Sequence, residues 1–159
     1  MLSPRSTQTK KALSGLAWLP TLVLRVSVGF MFFSGAVTKL TAPEQLVATL
    51  REGGIPLAGS VAPLLATVEL VGGAALVLGL GTRVAALVLA GVMGGALITT
   101  IVVPLSDKYP APSTFLSSLF YTPEWLLMLL LSWILCAGAD RFSIDALLTR
   151  RHSPRATQP

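Results

Sequence analysis

Four ionisable residues lie within or at the edges of long apolar stretches: Arg25, Lys39, Glu69 and Glu124. Glu69 is the only charged residue between positions 61 and 80. A charged side chain at the centre of a transmembrane helix costs about 2.5–3.5 kcal/mol on insertion scales. A carboxyl group at such a depth binds a cation, shares hydrogen bonds within a helix bundle, or stays protonated. These four residues are therefore the candidates for proton transfer or ligand binding.

Three of these residues also have ordinary structural explanations. Lys39 lies near a helix end, where its side chain can extend to the membrane surface. Glu124 lies in a helix N-terminal turn, which favours an acidic residue. Arg25 is about 8 Å in from Pro20, within reach of the membrane surface. Glu69 is about 12 Å deep when counted from Val61, so neither explanation applies to it.

The partner of Glu69 has two alternatives on these grounds. Arg25 on the preceding span is one, although the two depths differ by about 10 Å. A cluster of Glu69 with Lys39 and Glu124 is the other, because helical side chains lean toward their own N-termini. Since a boundary shift of one helical turn would reverse the choice, both alternatives stay open. In either case Glu69 shares a helix face with Gly73 and is expected to point into the bundle.

The elements that position these residues are predicted to be transmembrane helices. Charged residues make up 12% of the chain, against about 25% in soluble domains. We predict an all-α integral membrane four-helix bundle, with a short interfacial helix between helices 1 and 2. Its domain covers residues 16–148, between tails at 1–15 and 149–159, and its spans lie at about 20–40, 61–80, 83–104 and 122–139.

Local signals mark several helix ends and one helix pair. "TAPEQLVATLREGG" predicts the short helix, with a capping box from Thr41 to Glu44 and a stop at the two glycines. "TPEW" predicts Thr122 as the N-cap of the last span. "GLGTR" is so short that the second and third spans must be antiparallel neighbours. Gly91 and Gly95 predict a close approach of helix backbones.

The net charge of +5 indicates membrane topology rather than a nucleic-acid partner. Eight basic residues fall in the two tails and the "GLGTR" turn, against three in the other two connections. The positive-inside rule then places both termini in the cytoplasm. The basic tails are short and lack interleaved aromatic residues, which argues against nucleic-acid binding.

The residues that could hold a metal or a redox centre are too few. His152 lies in the C-terminal tail and Cys136 stands alone, so we predict no metal site and no internal disulfide. No covalent cofactor is expected. Electrons for any redox reaction would have to come from a bound molecule or from a partner chain.

Three segments resemble the DoxX family of membrane proteins, and together they cover roughly residues 22–148. "RVSVGFMFFSGAVTKL" is similar to the family's first helix, and "GADRFSIDALL" to its closing segment. "GIPLAGSVAPLLATVELVGGAALVLGLGTRVAALVLAGVMGGAL" resembles its central segment and is the most specific of the three. Many relatives carry a histidine after the third helix, whereas "ITTIVVPLSDKY" has none.

The resemblance implies a four-helix protein of the bacterial cytoplasmic (inner) membrane. Family members are linked to quinone-coupled oxidation, as subunits of a thiosulfate:quinone oxidoreductase, and to membrane complexes against oxidative stress. Arg25, Lys39 and Glu69 match the family's polar positions. Membrane lipid and partner subunits, or further copies of the chain, are the expected partners.

Three hypotheses on function follow. In the first, a redox-associated subunit binds a quinone or lipid-like molecule; Glu69 and Arg25 are its catalytic candidates, and Lys39 and Glu124 bind the ligand or handle protons. In the second, a non-catalytic subunit stabilises a larger complex and Glu69 holds helices together. The third is a small transporter or channel.

Overall fold

The computed structural model describes residues 18–138 and 143–151, and every regular element in these ranges is a helix. The elements in chain order are α1 (Trp18–Thr41), α2 (Glu44–Glu52), α3 (Ala58–Leu78), α4 (Thr82–Ala96), a π-helix (Leu97–Val102), α5 (Val103–Lys108), α6 (Pro112–Phe120), α7 (Pro123–Ala137) and α8 (Ile144–Arg151). The predicted all-α class is confirmed. The predicted tail at 1–15 lies outside the described residues, and so does the predicted C-terminal tail beyond the end of α8.

Three segments are long and apolar enough to cross a membrane: Trp18–Thr41, Ala58–Leu78 and Thr82–Lys108. Helices α6 and α7 meet this criterion only as a pair, and the pair is bent by 62°. Helix α7 alone has 15 residues, about 22 Å of helix against a hydrocarbon core of about 30 Å. The chain is an integral membrane protein with three such helices, or four if the bent pair is one span. The four-helix count and the interfacial position of α2 stay predictions.

The third long segment continues past its predicted end at residue 104. Pro104 lies in the first turn of α5, and the helical path runs on to Lys108. A proline in a regular α-helix clashes with the carbonyl four residues earlier. Here the π-helix Leu97–Val102 directly precedes α5, and the wider turn of the π-helix leaves room for the proline ring.

Helices α1 and α3 approach each other most closely at Gly29 and Gly73. A Cβ atom on Gly73 would lie 2.6 Å from the amide nitrogen of Phe33 and 2.7 Å from the carbonyl oxygen of Gly29. The close approach predicted at Gly91 and Gly95 is wrong, because a Cβ on either would meet no atom within 4 Å. Residue spacing indicates which glycines share a helix face, but not which neighbouring helix lies against that face.

Two apolar clusters hold the helices together. The larger one joins α1, α3, α4 and α7 through Val28, Phe32, Leu76, Ala85, Ala86, Leu89, Met93, Leu131 and Ile134. In the smaller one, Leu50 of α2 packs on Ala58 and Ala62 of α3. The smaller cluster fixes α2 over the first turns of α3.

The two ends of the bundle differ in how the chain reverses. At one end, Gly79 and Gly81 adopt φ values of 69° and 56° and turn α3 into α4, which confirms the predicted antiparallel pair. At the opposite end, α2 covers the start of α3. We call these the turn end and the cap end.

The predicted helix caps have mixed outcomes. The capping box is wrong, because Thr41 belongs to α1 and its hydroxyl donates to the carbonyls of Val37 and Thr38. Helix α2 ends at Glu52 with Gly53 as its C-cap, so the predicted stop at the two glycines is confirmed. The Thr122 cap is confirmed, since its hydroxyl oxygen accepts a hydrogen bond from the amide of Trp125 at 3.4 Å.

Gly73→Ala should separate α1 from α3, since the added methyl group meets backbone atoms that cannot rotate away. Overpacking typically costs about 1–3 kcal/mol, and we expect a loss of unfolding free energy near the upper value. Far-UV circular dichroism during titration with SDS measures it. Gly35→Ala is the matched control, because its Cβ meets no atom within 4 Å and its stability should stay level or rise slightly. Equal stability of the two variants would contradict the close packing.

Candidate functional site

Glu69, which is buried, forms an ion pair with the partly exposed Lys39. The Lys39 Nζ atom donates to Glu69 Oε2 at 2.5 Å. The Glu69 side chain is 5% exposed and that of Lys39 is 34% exposed. Of the two open alternatives for the partner of Glu69, the structure contains the pair with Lys39.

The packing of α1 on α3 produces this pair. Glu69 precedes Gly73 by one helical turn, about 6 Å toward the cap end, whereas Lys39 lies about 15 Å beyond Gly29 in the same direction. Because side chains lean toward the N-terminus of their own helix, Lys39 reaches back and Glu69 reaches forward. The two side chains therefore lean toward each other and together span the distance of about 9 Å that separates Lys39 from Glu69 along the bundle axis.

The ion pair faces a cavity of about 740 Å³ at the cap end. Glu124 of α7 also lines this cavity, so three of the four predicted residues contribute to its walls. Its remaining lining is Gln45, Leu46, Thr49, Leu50, Ile55, Val61, Leu65, Val88, Gly91, Val92, Met93, Gly95, Ala96, Thr99 and Thr100. The cavity thus combines three charged residues, called the cluster below, with mainly apolar walls, the composition expected of a small-molecule site.

Glu124 belongs to the first turn of α7, where an acidic residue suits the helix N-terminus. Its Oε2 atom is buried and has no hydrogen-bond partner among the described residues. A buried carboxyl oxygen without a partner carries an energetic penalty, which a bound group could remove. Glu124 is therefore both a helix-terminal acid and an unsatisfied polar group at the cavity.

Four polar residues of the cavity were not predicted from the sequence: Gln45 and Thr49 of α2, and Thr99 and Thr100 of the π-helix. The hydroxyls of Thr99 and Thr100 donate to the carbonyls of Gly95 and Ala96 at 2.8 and 2.7 Å. The sequence feature that could have indicated these two residues is the pair of adjacent threonines within an apolar span. The π-helix has no comparable sequence signature, although π-helical turns are frequent at functional sites.

Arg25 lies away from this cavity. It is buried, and its Nη1 atom donates to the carbonyl oxygens of Leu76 at 2.5 Å and Val77 at 3.2 Å. These carbonyls are about 10 Å along α3 from Glu69, toward the turn end. The structure therefore separates Arg25 from the other three candidates, and its described hydrogen bonds secure the C-terminal end of α3.

Asp145 of α8 binds the turn between α3 and α4. Its carboxylate accepts hydrogen bonds from the amides of Gly81 and Thr82 at 2.8 and 3.0 Å, and from the Thr82 hydroxyl at 3.1 Å. Burial raises the pKa of Asp145, but the hydrogen bonds from Thr82 and Gly81, together with the charge of Arg25, outweigh it. The net effect lowers the pKa below the ordinary value of 3.8. The ionised form of Asp145 therefore stabilises the turn end.

These features define an all-α membrane protein with a partly buried lysine–glutamate pair at a mainly apolar cavity. The model of the DoxX family matches residues 21–102, a range that includes Arg25, Lys39 and Glu69. The chain belongs to the DoxX family.

Two curated proteins are similar to the chain. It is 35% identical over 133 residues to "Uncharacterized membrane protein Rv3486" of Mycobacterium tuberculosis, and the match covers 82% of each chain. It is also 35% identical over 79 residues to "Putative oxidoreductase CatD" of Bacillus subtilis, a match that covers 50% of this chain and 58% of CatD. No solved structure matches the chain.

Asp145→Ala should lower the unfolding free energy by about 0.5–2 kcal/mol at neutral pH, the usual effect of losing a helix-terminal cap. Because the folded pKa is below 3.8, this stabilisation is complete at pH values well above 3.8 and is lost as pH falls through the folded pKa. Unfolding of the wild type and the variant between pH 3 and 7 measures the difference. We expect it to shrink toward the acidic end, and a difference that grows with falling pH would contradict the assignment.

Proposed function

We propose that the protein is a redox-associated membrane subunit. It binds a neutral, lipid-soluble molecule in the cap-end cavity, and the head group of this molecule is a quinone. The observation that carries this proposal is the cavity itself, where Lys39, Glu69 and Glu124 meet apolar walls. A polar head would lie at the charged cluster and an apolar tail along the walls. The family membership and the oxidoreductase name of CatD are consistent with this function.

The charges of the cluster favour an uncharged head group. Lys39 and Glu69 neutralise each other, and Glu124 adds either no charge or one negative charge, depending on its protonation. An anionic head would meet no unbalanced positive charge among these three residues, and its transfer out of water would be costly. A carbonyl or hydroxyl head group can instead exchange hydrogen bonds with the Lys39 ammonium and the Glu124 carboxyl.

The carboxyl groups also suit the proton balance of quinone chemistry. Reduction of a quinone to a quinol takes up two electrons and two protons. Glu69 and Glu124 would each take up a proton from water at the cap end and pass it to an oxygen atom of such a head group, with Lys39 holding the Glu69 carboxylate in position between transfers. The electrons would come from a partner chain, so we expect the protein to act within a larger assembly.

A structural role is the second candidate, and the Lys39–Glu69 pair itself favours it. The pair joins the end of α1 to the middle of α3 whether or not a ligand is bound. In that case the cluster would stabilise this chain, or its assembly with partner subunits or further copies, without chemistry. An experiment must therefore separate loss of binding from loss of folding.

We further propose that the turn end faces the cytoplasm of a bacterial inner membrane. The distribution of basic residues, eight against three, supports this orientation. Both similar proteins are bacterial, and one is named as a membrane protein.

The test replaces the whole ion pair, using the double variant Lys39→Met with Glu69→Leu. A single substitution would leave one charge without its partner and could cost about 3–5 kcal/mol, whereas apolar replacement of a complete buried pair is often neutral or stabilising. Affinity for decylubiquinone is measured in nanodiscs by quenching of tryptophan fluorescence, since Trp125 adjoins Glu124. We expect normal unfolding and at least a tenfold loss of affinity. Glu124→Gln keeps the shape of the side chain and tests the second carboxyl group separately.

Two outcomes would contradict ligand binding at the pair. If the folded double variant binds decylubiquinone with wild-type affinity, the cluster does not contact the ligand. If the wild type does not bind the quinone at all, the quinone class is wrong. Loss of copurifying partner chains in the double variant, with no wild-type quinone binding, would favour the structural role.

A further inference from the structure

Two of the residues of α4 that line the cavity are glycines, Gly91 and Gly95. Gly91 and Gly95 are both exposed, and a Cβ on either would meet no atom within 4 Å. At both positions the cavity is bounded by backbone alone. Neither glycine packs its Cα face against another helix among the described residues. Close helix packing therefore does not explain why α4 has no side chains at these two positions.

The same stretch lies on the lipid-facing side of α4. At 100° per residue, Gly91 and Gly95 fall about 20° to either side of Val84 around the helix. Val84 and Val88 on this side are 67% and 44% exposed. Exposed aliphatic side chains of a membrane-spanning helix contact lipid tails, so the two glycines open toward lipid as well as toward the cavity.

The depth of the two glycines matches that of the ion pair. Gly91 and Gly95 lie about 14 and 20 Å along α4 from Thr82, and Glu69 lies about 15 Å along α3 from Gly79. All three positions are therefore near the middle of a hydrocarbon core of about 30 Å. An opening at this depth meets lipid tails rather than water.

We propose that Gly91 and Gly95 form a lateral entrance through which a lipid-soluble ligand passes from the hydrocarbon core into the cavity. This inference rests on the proposed function. It assigns the two glycines a role in access, with Val88 at the edge of the opening. The molecule admitted has an apolar tail, because only such a molecule is concentrated at this depth of the bilayer.

A second rim of the cavity is polar. Gln45 and Thr49 of α2 line it and are exposed at the cap end. A small water-soluble head group without a tail could use this side. The two rims therefore predict different routes for tailed and tailless ligands, which makes the lateral entrance testable.

The experiment compares Gly91→Leu and Gly95→Leu with the wild type in nanodiscs. The Cβ atom of each leucine would lie in open space, so folding should be unaffected. The rest of the leucine side chain would cover the opening. Stopped-flow tryptophan quenching measures the association and dissociation rates of decylubiquinone and of ubiquinone-0, which lacks a tail. We expect both rates for decylubiquinone to fall at least tenfold, with those for ubiquinone-0 unchanged. Gly59→Leu is the matched control, because Gly59 is exposed, has no atom within 4 Å of its Cβ and does not line the cavity.

Each other outcome overturns the proposal. Unchanged decylubiquinone rates in both variants would show that the ligand enters elsewhere. A loss of affinity with an unchanged association rate would mean that the leucine fills the binding site rather than its entrance. Cross-linking of Gly91→Cys into a dimer that excludes lipid would show that a second copy covers this face. If the wild type binds neither quinone, the proposed function itself fails, a result distinct from wild-type binding with unaltered kinetics in the variants.

Discussion

A charge inside a hydrocarbon layer must be paired, and this constraint organises the whole site. Glu69 is almost completely buried in α3, and its ion pair with Lys39 meets the constraint within the chain. The two charges of the pair cancel, and the pair forms a polar surface without net charge at the edge of the cavity. Glu124 contributes to the same cavity a buried oxygen that has no hydrogen-bond partner among residues 18–138 and 143–151, and this is where a ligand would gain hydrogen bonds.

The pair depends in turn on a contact without charges. Gly29 and Gly73 let the backbones of α1 and α3 touch, and this contact fixes the offset that the Lys39 and Glu69 side chains bridge. At the turn end, Arg25 and Asp145 secure the two ends of the α3–α4 connection through backbone groups. Helices α1 and α3 are thus in backbone contact at the two glycines, whereas the cap end contains the cavity lined by the ion pair.

Much of this arrangement could be predicted from the sequence, because burial of charge in lipid is a strong constraint. The helical class, the position of Glu69 on the Gly73 face, and the Thr122 cap follow from residue type and spacing. The choice between Arg25 and Lys39 could not be made, since an error of one turn in a helix boundary moves a side chain by about 5 Å. The exposed position of Gly91 and Gly95 could not be predicted either, because a small residue serves equally for close packing and for an open surface. The π-helix, which contains the cavity residues Thr99 and Thr100, could not be predicted because no residue pattern in this segment marks it.

The most direct test of the central claim is an experimental density map of the protein extracted with its native lipids. The account predicts elongated density in the cavity, with a polar end within hydrogen-bonding distance of Lys39, Glu69 or Glu124 and an apolar part leading toward Gly91. Collapse of α4 and α7 onto the Lys39–Glu69 pair, with no cavity and with Glu124 turned away from it, would contradict the account.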